Sequence, residues 1–432
     1  MHGAGVRADR VHGPVLGHGK AAGQGGGVAG RLLHMGALHM QRFGRFAQLV
    51  RVHIGPAMST TGVERAVDGG LAAPASKWLD EVILLGTGTS GQVPAVHCVT
   101  SDESCATCTD AMVPGSKNRR QCTSAVVVGS PPGAPQERST ILIDCGKSFY
   151  PSALAAFSKH GLRRIDAVLL THAHADAMLG LDDLRSWTIG GHIQPYVDVY
   201  LTPTCMDTVQ TTFPYLIDRS RSTGGGDVGA LRWHLIDPNV PSFSVGPHRV
   251  PVTPLLVEHG FAGPNRAPFE CLGFRIDSMS YISDCHRIPD ATTQRVAGSD
   301  LFILDALKMN RHTSHFSIPQ AIDYTLALAQ QHPPAPTLTL FTDLTHQTEH
   351  YATEEALQQL LAGLRAYAAS QSGSAQPRWW AAAWDDAENE ASLMLRTRRG
   401  LALDASGTPH HPLVPAMHLA YDGQLIQFRK QA

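Results

Sequence analysis

Long apolar runs are missing from this chain of 432 residues. None reaches the ~18 consecutive apolar residues that a membrane-spanning helix needs, so no membrane partner is expected. An excess of positive charge is missing as well: the formal net charge is −2, which argues against a generally basic nucleic-acid binder while leaving a local basic cleft open. The eight cysteines lack the spacing of a disulfide framework, which favours a reducing, cytoplasmic setting. Acids are nearly absent from the head of the chain, where Asp9 is the only one before Glu64 and Gly, Ala, Arg and His dominate residues 1–75. Such a segment has too little apolar density to fold by itself. It reads as a disordered extension or as sequence upstream of a start at Met58, ahead of a mitochondrial or plastid targeting segment, for which Gly25-Gly26-Gly27 is a poor helix former. Residues 76–432 form the second unit; 43% of the whole chain is hydrophobic, enough for a large core.

What is present is concentrated chemistry. Thr171-His172-Ala173-His174-Ala175-Asp176 follows the apolar run Ala167 to Leu170, which reads as a buried strand. A loop leaving that strand can turn His172 and His174 towards one point and Asp176 towards a second, a mixture of imidazole nitrogen and carboxylate oxygen that suits Zn²⁺. Other ligand-type side chains stand at or just beyond apolar runs: His259 after Val252 to Glu258, Asp284 after Ser280 to Ser283, Asp305 and His315 with Leu301 to Leu307, and Asp343 and His346 after Thr337 to Phe341. Strands are expected at 81–85, 124–128, 140–144, 167–171, 197–202, 252–257, 272–277, 280–283, 301–304 and 337–342. Helices are expected at 151–160, 179–187, 319–331 and 353–369. Ser220 to Gly229 and Pro264 to Pro268 read as surface loops near a cleft, Ser370 to Pro377 as a flexible connection, and Trp379, Trp380 and Trp384 as a core anchor. His418 to Phe428, alternating around Asp422-Gly423, reads as a closing β-hairpin.

This order of residues, together with Leu84-Leu85-Gly86-Thr87-Gly88-Thr89, resembles the metallo-β-lactamase superfamily and, within it, the PhnP-like phosphodiesterases, relatives of the ribonuclease Z group. The likeness covers about residues 79–350 and implies an α/β, four-layer αββα sandwich. It also implies a first metal site of His172, His174, His259 and Asp284 with an open position for a water that zinc makes acidic. The family motif continues H-x-H-x-D-H, whereas Ala177 stands here in the last position and Asp343 falls where the family has its final histidine. The second site then keeps Asp176, the bridging Asp284 and Asp343. Such an all-oxygen set favours Mn²⁺ or Mg²⁺, or stays empty, with His350 the nearest alternative ligand.

Cys98, Cys105 and Cys108 lie soon after the Gly86-Thr87-Gly88 loop, and Cys105 and Cys108 form a C-x-x-C that alone reads as redox-active or as packed thiols. The resemblance implies a structural zinc held by these three cysteines and by His346. It also places His315, with His312 as the alternative, at a histidine that contacts the scissile phosphate and protonates the leaving oxygen. Asp182, Asp183 and Arg185 match the stretch that follows the metal loop and read as supporting residues. The expectation is a metal-dependent hydrolase acting on a small or cyclic phosphodiester, with Asp284, His312 and His315 named as catalytic. A ribonuclease Z-like processor acting on RNA and a non-catalytic metal-binding scaffold are the alternatives. Oligomeric state is not legible.

Overall fold

The computed structural model describes residues 74–102, 105–370 and 411–430. Most of the expected N-terminal extension, nearly all of the Ser370 to Pro377 connection and the three tryptophans near residue 380 lie outside the described residues.

Two seven-stranded sheets carry the fold. In space the first runs β15 (Leu425–Gln427), β2 (Leu79–Gly86), β3 (Ser124–Gly129), β4 (Ser139–Ile143), β5 (Ala167–Leu169), β6 (Val197–Leu201), β7 (Leu231–Leu235). The second runs β14 (Ala416–Leu419), β13 (Leu338–Thr342), β12 (Leu301–Asp305), β11 (Met279–Ile282), β10 (Ala267–Ile276), β9 (Val250–Ala262), β8 (Phe243–Val245). A short parallel pair, β1 (Ala75–Ser76) with β16 (Arg429–Lys430), ties the ends of the described chain together. Strands β3, β4 and β12 are buried along their whole length because both faces are covered, which is why they read as near-continuous apolar runs rather than as alternation.

Three apolar layers fill the molecule. Val82, Val127 and Ile141 meet Phe274, Tyr281 and Ile303 between the sheets. Helices α1 (Phe149–His160) and α2 (Pro203–Thr212) set Phe157 and Val209 against the outer face of the first sheet, on Ile83, Val126 and Leu142. On the outer face of the second, α3 (Asp290–Val296), α4 (Ile318–Gln331) and α5 (His350–Ser370) cover Phe302, Leu304 and Phe341. The result is the expected αββα sandwich. Local signals start and stop these helices: Ser317 and Gln320 form a capping box at the head of α4, with Pro319 in its first turn, and Gly161, at φ 64°, ends α1 in the left-handed conformation. Each fully buried aliphatic side chain contributes about 1.5–3 kcal/mol, so truncating Ile141 in the central layer costs about 2–5 kcal/mol.

β4 to β7 are mutually parallel, and so are β11 to β14. Loops therefore leave β5, β11, β12 and β13 on one edge of the sandwich, where parallel strand ends form clefts.

Three sequence expectations are corrected. β14 and β15 do not pair with each other: β14 joins β13 in one sheet and β15 joins β2 in the other, so the Asp422-Gly423 turn is a bridge between sheets and not a hairpin. Its direction is set by long-range bonds, in which Thr87 Oγ1 and the Gln121 amide donate to the Asp422 carboxylate and the Leu84 amide donates to the Gln424 carbonyl. The helix expected at 179–187 is broken into a 3₁₀ segment, Leu179–Leu184, and one short α-turn, Arg185–Thr188. His259 lies inside β9 rather than after a strand. The edge strands β7 and β8, with only partial burial, and the helices α2 and α3 were not anticipated.

Candidate metal centre and active site

The strand β5 ends at Leu169, and the chain then delivers His172 and His174 before a short helix, Ala175–Met178. The turn is held by Asp144, fully buried at φ 60°, whose carboxylate accepts from the Thr171 amide (2.8 Å) and the Thr171 hydroxyl (2.9 Å). The same hydroxyl lies 2.8 Å from His172 Nδ1. With its one proton given to Asp144, that oxygen accepts from His172 Nδ1, which leaves the lone pair on Nε2. This Nε2 is buried and has no hydrogen-bond partner. A buried nitrogen left unmatched in this way is expensive unless something else binds it.

His172, His174 and His259 bring ligand atoms within 4.8 Å of one another. His259 Nδ1 donates to the Ser314 carbonyl (2.8 Å), so its Nε2 also carries a lone pair, and this atom stands 3.3 Å from His174 Nδ1. Two nitrogens on one tetrahedral zinc, with Zn–N near 2.05 Å, stand about 3.3 Å apart. Burial holds His172 down to about 3 and lowers His174 and His259 too, so the three imidazoles are neutral, the form that binds a cation. Asp284, reached from β11, lies 3.8 Å from His259 Nε2. Burial would raise its pKa, but His172, His259 and His315 around it hold the carboxyl below its usual range. Donor chemistry, charge and spacing all fit one divalent ion at His172, His174, His259 and Asp284.

The second group of carboxylates is arranged differently. Asp305, at the end of β12, and Asp343, just after β13 at φ 60°, both place Oδ2 3.0 Å from His315 Nδ1. The hydrogen bond goes to Asp305. Burial opposes the charged form of His315, yet these two carboxylates push its pKa up to about 12. Burial raises Asp305 to about 6 and Asp343 well above the usual range, since one imidazolium serves two buried acids. Asp176 lines the same cleft, of about 350 Å³, with Asp284, His315 and Asp343. Asp176, Asp284 and Asp343 do not converge as a ligand set among the described residues. Ala177 is buried, its carbonyl accepting from the Cys145 amide. His350 is turned away under Tyr421 and joins none of the ligand clusters.

Cys98, Cys105, Cys108 and His346 form a separate cluster, with His346 Nδ1 3.4 Å from Cys98 Sγ and 3.7 Å from Cys105 Sγ. None of the cysteines is in a disulfide. Sulfur and nitrogen on one tetrahedral zinc stand about 3.6 Å apart, so this set fits a closed Cys₃His site. Sequence reasoning missed Arg120, which anchors the loop bearing Asp343 and His346: fully buried, it donates through Nη1 to the carbonyls of Thr345 (2.8 Å) and Thr348 (2.9 Å). Asp144, Thr171 and Phe269, whose ring lies parallel to that of His174 at 5.2 Å, were also not singled out. His312 is exposed, its Nδ1 meeting the Ser314 hydroxyl at 3.1 Å. Asp182 accepts from the Tyr215 hydroxyl and Arg185 donates to the Asp227 carbonyl; neither lines the cleft.

A family model described as "Beta-lactamase superfamily domain" matches residues 139–336, the span from β4 to the end of α4 that contains both histidines of the motif, His259, Asp284 and His315. That span is just under half of the chain, and its likeness is to the β-lactamase superfamily. A solved structure of a diphosphatase from the PhnP family is similar over 81% of this chain and 98% of its own, with 22% identity and a TM-score of 0.52, and confirms the metallo-β-lactamase fold. Zinc-bound PqqB from Methylobacterium extorquens is similar over 80% of this chain and 99% of its own, at 18% identity and a TM-score of 0.49. An octanoyltransferase of Porphyromonas gingivalis is 32% identical over 242 residues, 56% of this chain and 42% of that protein, so the match spans well under half of that relative. No described helix is long and apolar enough to cross a membrane.

Proposed function

We propose that this superfamily domain is a metal-dependent phosphodiesterase of the PhnP-like type, with one zinc at the three imidazoles and Asp284. The observation that carries the reading is the convergence of neutral His172, His174 and His259, with the buried His172 Nε2 left for a cation to bind. An ion there supplies a Lewis acid and an acidic water. The chain's own residues do the rest. Asp284 would take the proton of an attacking water as its oxygen bonds to phosphorus and the bond from phosphorus to the leaving oxygen breaks. His315, held charged by Asp305 and Asp343, faces the same cleft and gives its proton to the leaving oxygen. Its positive charge stands where Ala177 and Asp343 have removed the imidazoles of a second site. The Cys98, Cys105, Cys108 and His346 set holds a second zinc that is structural, because a closed tetrahedron has no place for substrate. Asp176, Asp284 and Asp343 line the cleft beside one imidazolium and favour a cation over an anionic ligand at its floor. This leaves the phosphate to be held by that cation and by His315.

The test is turnover of bis(4-nitrophenyl) phosphate by zinc-loaded protein and by His174→Ala. A loss of at least ~10²-fold with the fold retained is expected, since the ion brings both nucleophile and charge. A folded wild-type chain without turnover on this and on cyclic phosphodiesters would favour the scaffold reading.

A further inference from the structure

The cleft does not stop at the imidazoles. Past His174 and His259 it opens into a second hollow of about 580 Å³, walled by the tip of the β9–β10 hairpin and by Thr313 and Ser314. Two features build this wall. Gly260 has φ 72°, and a Cβ there would lie 2.8 Å from Ser314 Cβ, so the hairpin rests directly on the loop that precedes His315. The β9–β10 register then shifts between Pro268 and Glu270, where His259 and Gly260 of β9 face the single residue Phe269, and the Phe269 ring lies over His174, 6° from parallel. Phe261, which also lines the hollow, is 47% exposed and leans on His286, and the Arg266 guanidinium lies 5.0 Å from its ring centre.

The hollow thus presents two aromatic rings and a guanidinium fork, and no carboxylate lines it. Aromatic faces next to a cation suit a flat ring that carries hydrogen-bond acceptors, and an aliphatic arm would leave the fork unmatched. We propose that this hollow is a subsite for the nucleoside arm of a phosphodiester, the base stacking on the phenylalanine rings and accepting from Arg266 while the phosphate sits at the metal centre. This rests on the phosphodiesterase reading, which it deepens by naming the substrate class.

The test is calorimetric binding of AMP and of ribose 5-phosphate to full-length, zinc-loaded protein. The two probes share a phosphate and differ by the base. AMP is expected to bind at least ~10-fold more tightly, the advantage that one stacked base brings. Phe261→Ala and Arg266→Ala should each remove most of that preference, and Phe261→Trp should keep it. Equal affinity for the two probes, no measurable AMP binding, or a preference unchanged in both alanine variants would overturn the proposal. Bis(4-nitrophenyl) phosphate turnover, measured in parallel, separates the two readings. Turnover without a preference for AMP sinks the subsite alone. A preference for AMP without turnover upholds the subsite and sinks the hydrolytic reading alone.

Discussion

Changing Cys105 and Cys108 together to Ser removes two of the four ligands that converge on one point beside the Gly86-Thr87-Gly88 loop. The apolar cluster around them is small: Val93, Cys108 and Ala111 are its only fully buried members, packed by Ala95, Cys98 and Cys105. Three small buried side chains contribute only a few kcal/mol, roughly 1–3 each, so under the proposed Cys₃His zinc the ion, more than the core, would hold this segment in place. Structural zinc in isolated peptides is worth about 10–16 kcal/mol at neutral pH. Much of that remains with the rest of the domain when the segment loosens, and about 3 kcal/mol should be lost globally, a melting shift of roughly 4–5 °C for a domain of this size. Metal analysis of the purified double variant should show one zinc fewer per chain. Thermal melting should show the shift, while turnover per catalytic ion should fall by less than ~10-fold, because a closed Cys₃His set takes no part in the chemistry. Unchanged zinc content with an unchanged melting temperature would return these cysteines to ordinary packing.

Glu354 on α5 accepts from His418 Nδ1 (2.6 Å) and from the Leu419 amide (2.8 Å), joining the helix to β14. Burial would raise its pKa, but these donors hold it low; a depressed carboxyl stabilises above its unfolded pKa and loses that contribution as pH falls through the folded value. Glu354→Gln should therefore cost about 1–3 kcal/mol by urea unfolding at pH 7, and the gap to wild type should close as the acid limb is descended. A pH-independent gap would contradict this. Arg120→Met should destabilise by about 3 kcal/mol, since two buried carbonyls lose a charged donor, and a cost within ~1 kcal/mol would show that Thr345 and Thr348 find other partners. Ala177→His with Asp343→His restores the family pattern and should raise zinc content after weak chelation by about one ion per chain, more than either change alone. A wild-type chain that already keeps two zincs apart from the cysteine-bound one would refute the depleted second site.

The legible part of this molecule was the local part. His172 and His174 announce themselves because their spacing and the preceding strand put both on one loop, and Cys105 and Cys108 do so for the same reason. His346 was reached through the family likeness alone, as nothing near it in sequence marks it as a partner of cysteines about 240 positions away. Asp144 fixes Thr171, the partner of His172, across 27 residues and Arg120 holds the Asp343 loop across 225, and no periodicity carries contacts of that range. The Asp422-Gly423 turn was recognised correctly as a turn. Whether its two strands pair together or part into separate sheets depends on Leu84, Thr87 and Gln121, far upstream. Phe269 reads as an ordinary strand residue, because its ring contact with His174 is made across the fold, 95 positions away, and leaves no trace in the alternation. The paired clamp on His315 was hidden for a related reason: Asp305 and Asp343 end neighbouring parallel strands that lie next to each other only in the folded sheet.

The most direct test of the metal centre is a zinc titration of chelator-treated protein, with turnover of bis(4-nitrophenyl) phosphate followed at each step. Activity should rise to its maximum with one zinc beyond the ion held by Cys98, Cys105, Cys108 and His346, and His172→Ala should show no such rise. Turnover that survives removal of the metal, or that appears only after two further ions have bound, would contradict a single catalytic ion at His172, His174, His259 and Asp284.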